Sequence, residues 1–221
     1  MALDIKDIRN NPDIYEYIAR ADDSMRALGY TEHSFAHVMK CAEDARNILK
    51  TLNFDERLQK LAWISGYMHD IGNVINRADH AQSGALMTFR ILDKLGMPAC
   101  DLSVVVTAIG NHDEGTAFPV NEVAAALILA DKADVRRSRV RGDDFSKFDI
   151  HDRVNYAVTS SRLQVDSENK RISLYLVIDD DISSIADYFE IFLGRMKLCR
   201  RAAERLGCAF SLSINGQVLM G

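Results

Sequence analysis

From residue 11 to about residue 138 the apolar residues return at every third or fourth position, and short turn signals cut this stretch into helix-length pieces. A chain patterned in this way buries one face of each helix against the others, so the fold open to it is a helical bundle. Asn11-Pro12 opens a segment that runs to Leu28, where Gly29 supplies a stop. Thr31 is read as the N-cap of the next helix, along which Phe35, Val38, Ala42, Ala45, Leu49 and Leu52 line one face. Asp55 caps a third helix, Leu58 to Ile71, with Gly72 beyond it. A fourth runs from Asp79 to Leu95 and stops before Gly96 and Pro98; a fifth covers Asp101 to Ile109 and stops at Gly110. The sixth begins after Pro119 and continues to about Ser138.

After Arg141-Gly142-Asp143-Asp144 the period changes. Ile172, Leu174, Leu176 and Ile178 alternate with other residues, which predicts a strand. Val154 to Val165 is read as its antiparallel partner, joined through the polar turn Asp166 to Lys170. A long helix, Ile182 to Leu206, follows, and the segment AFSLSI-NG-QVLM predicts a hairpin, because Asn215-Gly216 tolerates the positive φ of a two-residue turn. The expected fold is mainly α: an all-helical bundle over residues 1–142, then a small α+β annex over 143–221 with antiparallel strands and one long helix. Strands of this pattern need a covering layer, so strand and long helix are expected to pack on each other.

Composition narrows the class. The 221 residues, 48 % hydrophobic and 27 % charged, suit one large domain or a main domain with an annex. Three prolines and 12 glycines are too few for a linker-rich chain. The longest apolar run, Val123 to Ala130, falls far short of a membrane span, and the start MALDIKDIRN lacks the features of a secretory signal, so a cytoplasmic protein with no membrane attachment is expected. A net charge of −5 argues against general nucleic-acid binding while leaving room for a local basic site for a phosphate. Cys41, Cys100, Cys199 and Cys208 are scattered without a C-x-x-C pair and read as buried, reduced thiols.

Ionisable residues fall on faces that should be apolar. His37 lies one turn before Cys41 on the inner side of its helix; His69 continues the stripe Leu58, Ala62, Ser65, with Asp70 beside it; Asp131 continues the stripe Val120, Ala124, Leu127. An uncompensated carboxylate in such a place costs several kcal/mol. Helix caps, or pairing with Lys and Arg, would compensate each residue singly. A divalent metal would compensate all of them together, using imidazole lone pairs and neutralising the carboxylates.

His37, the adjacent His69-Asp70 in YMHDIGN, and Asp131 in LADKADVRRSRVR resemble the H…HD…D signature of the HD-domain superfamily of metal-dependent phosphohydrolases, over about residues 30–141. His80 (DHAQSGA) and His112 (IGNHDEG) resemble the additional histidines of members that hold two metals, and Gly84 leaves room for close helix approach. The resemblance implies a ligand set of His37, His69, Asp70, His80, His112 and Asp131, with Asp70 bridging two ions of Mn, Fe, Mg, Co, Ni or Zn; one ion is the alternative. His33, four residues before His37, is placed outside the ligand set, and His151 in solvent. Asp113 follows His112 where relatives that cleave cyclic dinucleotides carry a second histidine and a Gly-Tyr-Pro motif, which argues against that substrate.

Two cations about 3.5–4 Å apart can activate a water and stabilise in-line displacement at phosphorus, so a metal-activated hydroxide would serve as nucleophile. The chain shows no convincing serine or cysteine triad. Lys132, Arg136 and Arg139 share a face if the sixth helix continues that far, and would hold the substrate phosphate, with Lys132 and Asp70 in catalytic roles. The plainer alternative is a solvated basic helix end paired with Asp134, Asp143 and Asp144. The expected function is hydrolysis of a phosphate ester of a small metabolite or nucleotide. A di-iron oxygenase of the same superfamily and a non-catalytic HD signalling module are the alternatives, and a homodimer through the annex stays open. The loops 73–78 and 115–119 are expected to shape the pocket.

Overall fold

The computed structural model describes residues 3–142, 146 and 148–221, so the expected pairing partners Asp143 and Asp144 lie outside the described residues. A short helix that the periodicity did not announce, α1 (Ile5–Arg9), is closed by a capping box between Asp4 and Asp7. In α2 (Pro12–Ala27) the Asn11 side chain accepts from the amides of Asp13 and Ile14, and Pro12 occupies the first helical position. α3 (Phe35–Thr51) is capped by Ser34, not by Thr31. The Thr31 carbonyl is engaged by His33 Nδ1 at 2.7 Å and the His33 amide by Asp22 at 2.9 Å, which keeps 31–33 out of the helix.

Asp55 caps α4 (Glu56–Met68), which stops three residues before the expected Ile71. His69 and Asp70 form the exit from the helix, and a single 3-10 turn, Ile71–Val74, follows. α5 (His80–Lys94) and α6 (Ala99–Gly110) lie close to their expected positions. α7 (Glu122–Ala133) ends five residues short of Ser138, at Asp134, and a 3-10 turn covers Arg137–Arg139. Lys132, Arg136 and Arg139 therefore do not share a helical face. Asp134 stops the helix by turning its carboxylate to His37 and Arg136.

The segment read as a strand from Val154 begins as a helix, α8 (Ile150–Ala157), capped by Asp149; Val154 and Ala157 are its buried face rather than alternate strand positions. β1 (Val158–Asp166), β2 (Arg171–Ile178), α9 (Ile185–Arg205), β3 (Ala209–Ile214) and β4 (Gln217–Met220) complete the chain. The sheet order is β1-β2-β3-β4. β1–β2 and β3–β4 are antiparallel as expected, but β2 and β3 run parallel, with α9 as the crossover that parallel pairing requires. Asn215 (φ 51°) and Gly216 (φ 80°) make the tight turn of the hairpin. The first part is a helical bundle and the second a small α+β unit, so the chain as a whole is mainly α and not purely helical.

α3, α4 and α7 pack at the centre, with α9 laid on both α7 and β3, so the expected contact of long helix and sheet is shared with the bundle. Most of the buried apolar side chains form one continuous cluster from Ile8 to Ile214. α3 and α4 meet at Gly66, where a Cβ would stand 2.7 Å from the backbone of Ala42. Cys41, Cys199 and Cys208 are buried free thiols, whereas Cys100 is exposed, against the expectation for it. Among the described residues no helix is long and apolar enough to cross a membrane.

Candidate metal centre

Four of the six histidines converge on two aspartates. His37 comes from the first turn of α3, His69 and Asp70 from the exit of α4, His80 from the first residue of α5, His112 from the segment after α6, and Asp131 from the last turn of α7. His37, His69, Asp70, His80 and His112 are at most 3 % exposed, and Asp131 is largely buried. The helix packing that brings them together depends on backbone contact: a Cβ on Gly72 would stand 2.0 Å from the His80 carbonyl, and one on Gly84 would stand 3.1 Å from that of His69.

Each imidazole is held in the same way. His37 Nδ1 donates to Asp134 Oδ2 at 2.8 Å, His69 Nδ1 to the Gly66 carbonyl at 2.8 Å, His80 Nδ1 to that of Arg77 at 3.1 Å, and His112 Nδ1 to that of Ile109 at 2.6 Å. With every Nδ1 positioned to donate outward, every Nε2 faces the centre, where its lone pair becomes available to a cation once any proton it carries is displaced. The Nε2 atoms lie around the carboxylates: His37 is 3.4 Å from Asp131 and 3.6 Å from Asp70, His69 is 3.3 Å from Asp70, and His80 is 3.5 Å from Asp70. His80 and His112 set their Nε2 atoms 3.2 Å apart. His69 Nε2 and Asp70 Oδ2 have no hydrogen-bond partner among the described residues, a costly state for buried polar atoms.

The electrostatics agree. Burial alone would raise the Asp70 carboxyl, but His69 and the other imidazoles outweigh it and hold it well below the usual carboxylate range. Burial likewise opposes the ionised form of Asp131, and Lys132 with His37 overcomes it. Burial drives His112 well below its ordinary value, so it stays neutral. Converging lone pairs, two ionised carboxylates and orphaned buried atoms fit a divalent cation. His37, Cys41, His69 and Asp131 form one group of compatible ligand atoms, and His69, Asp70 and His112 another.

A cavity of about 310 Å³ opens onto this centre. Asp70, His80, His112 and Asp131 form its floor. Lys132 Nζ sits 2.7 Å from Asp131 and 3.9 Å from Glu114. Arg139 also lines the cavity, but its Nε and Nη1 donate to the carbonyls of Glu32 and Asp134. Arg136 pairs with Asp134 and Ser138 and is not among the lining residues. His33 is buried at the wall, where burial pushes it down to about 3; His151 is exposed, as expected, yet borders the cavity. Loop 73–78 contributes Arg77, whereas the opposite wall comes from 112–114 and not from 115–119.

Three residues that matter to the site escaped sequence reasoning. Asp134 orients His37, and its signal was its place three residues after Asp131 in the same acidic-basic run. Arg77 and Arg195 both line the cavity. Arg195 stands on a helix far along the chain, and nothing in its local sequence marks it.

A helical bundle whose helix ends direct imidazoles and carboxylates to one buried point has the arrangement of residues that could hold a metal ion. Residues 34–137 match the family model of the HD domain, so this part of the chain is an HD domain, the domain of a superfamily that includes metal-dependent hydrolases. A search of curated proteins finds no match.

Proposed function

We propose that the protein is a metal-dependent phosphohydrolase acting on a phosphate ester of a small metabolite or nucleotide. The observation that carries this reading is the shared posture of four histidines, each with Nδ1 tied back and Nε2 turned to Asp70 or its neighbours, beneath a cavity whose lining includes Arg77, Lys132, Arg139 and Arg195. His37, His69, Asp70, His80, His112 and Asp131 would hold one or two divalent ions, and Asp70 lies within 3.6 Å of the Nε2 atoms of three of the imidazoles. When bound there, such ions polarise a phosphoryl oxygen and lower the pKa of water.

The chain's own groups do the rest. Lys132 is 6 % exposed and reaches the cavity beside Asp131, where its ammonium donates to a phosphoryl oxygen and offsets the charge gained in displacement. Arg139, with Nη2 still without a protein partner among the described residues, adds a weaker contact to phosphate. Arg136 acts on the site through Asp134. The enclosed floor limits water to the volume above the centre. Four cationic side chains among the lining residues, Arg77, Lys132, Arg139 and Arg195, set beside carboxylates that include Asp113 and Glu114, favour phosphate transfer over the oxygenase chemistry of the same superfamily, and the presence of all six ligand-type residues disfavours a purely scaffolding module. A cytoplasmic location goes with a small phosphorylated substrate.

Elemental analysis followed by phosphate-release assays over nucleotides and sugar phosphates, with Mn²⁺, Mg²⁺, Co²⁺ or Fe²⁺ added and oxygen excluded, tests this reading. Phosphate release without oxygen is expected; turnover that requires iron and oxygen would overturn it. Asp70→Ala is expected to lose metal binding and to reduce turnover by at least about 10³-fold, the scale of losing a key charge-stabilising group.

A further inference from the structure

The HD match ends at residue 137, yet the cavity does not. Its outer wall is built by α8 and α9, and α9 places one cation in it, Arg195. This guanidinium is fixed on two sides. Its Nε donates to Glu114 Oε1 at 2.5 Å, and its Cζ stands 4.0 Å from the centroid of the Phe192 ring one turn earlier on the same helix. Among the described residues, neither terminal nitrogen of Arg195 has a hydrogen-bond partner, and the side chain is 21 % exposed.

A guanidinium held by one edge and stacked on a ring presents its remaining donors in a fixed plane, the arrangement that receives two oxygens of one anion. Glu114 also stands 3.9 Å from Lys132 Nζ, which itself pairs with Asp131. Arg195 is thus linked to the metal-side wall through a single carboxylate and shares the cavity with Lys132.

We propose that Arg195 is a substrate-binding residue, supplied from outside the HD domain, whose terminal nitrogens hold the phosphate of the substrate from the side opposite the metal centre. The inference rests on the phosphohydrolase reading for its substrate class, and Glu114 acts as the positioning residue that holds the guanidinium in place while competing for its charge. The annex then sets which phosphorylated molecules fit.

Inorganic phosphate is the probe, titrated by calorimetry into the manganese-loaded full chain. Arg195→Ala is expected to weaken phosphate binding about tenfold or more, with Arg195→Lys recovering part of the loss, because an ammonium keeps the charge without the fork. Glu114→Gln keeps an amide oxygen to accept from Arg195 Nε, with the Phe192 ring still against the guanidinium, and removes only the competing charge, so phosphate binding should tighten about threefold or more; a strut between α9 and the 112–114 segment would predict no gain. Unchanged binding in Arg195→Ala at unchanged melting temperature would overturn the proposal, as would unchanged or weaker binding in Glu114→Gln. Should Arg195→Ala fail to fold, the Glu114→Gln titration decides alone. Failure of the underlying reading looks different: no ester releases phosphate with the wild type, while the Arg195 and Glu114 variants still shift phosphate affinity as stated.

Discussion

At the scale of the residue, Asp134 shows how the site depends on groups that would not touch an ion. Its carboxylate receives His37 Nδ1 while Arg136 and Arg139 approach from the other side, and those partners hold it ionised against the burial that opposes it. An oriented imidazole is a stronger and better-aimed ligand than a free one. Asp134→Asn is therefore expected to lower metal affinity by about 10–100-fold without unfolding the protein, as measured by competition with a chromophoric chelator. The ligand-type residues themselves were visible in the sequence because charge on an apolar stripe breaks a pattern. Asp134 was visible only as one more acid in a charged run, and its role depends on the helix stopping at Ala133.

At the scale of the element, the centre exists because helices approach at glycine. Gly66→Ala would press a methyl against the backbone of Ala42, and Gly72→Ala would drive one into the His80 carbonyl, neither of which can rotate aside. Each substitution is expected to destabilise the fold by about 1–3 kcal/mol, read from urea unfolding, with the Gly72 variant also weakening metal binding because His80 must shift. The elements were legible in proportion to how local their causes are. Asn11-Pro12, Asp55 and Asn215-Gly216 act on neighbouring residues, and those boundaries came out close. Thr31 failed as a cap because His33 engages its carbonyl. The sixth helix was overextended because Asp134 forms contacts 97 residues away in sequence, and the segment from Val154 shows too little periodicity to separate a helix from a strand before Val158.

At the scale of the whole molecule, the bundle carries buried polar atoms without hydrogen-bond partners among the described residues, His69 Nε2 and Asp70 Oδ2 included. A ligand that binds only the folded state raises its stability in proportion to the logarithm of its concentration over the dissociation constant. Manganese at about a hundredfold over its dissociation constant should add about 2.7 kcal/mol, visible as a rise of several degrees in melting temperature, and a chelator should reverse it. An unchanged transition would mean that the centre does not bind the ion. The mixed sheet and the sharing of α9 between bundle and sheet were the least legible features, because a parallel pair is joined through a whole helix and leaves no trace in local alternation.

The parallel pairing of β2 with β3 also orders events during synthesis. β2 emerges before α9, but its second neighbour is made only with residues 209–214, and the hairpin that flanks it ends at Met220. Until then one edge of β2 has no partner and α9 lacks the sheet it rests on, so Arg195 has no fixed place beside Glu114. On the ribosome, the helical half can assemble first; the mouth of its cavity takes shape only after β3 has left the exit tunnel.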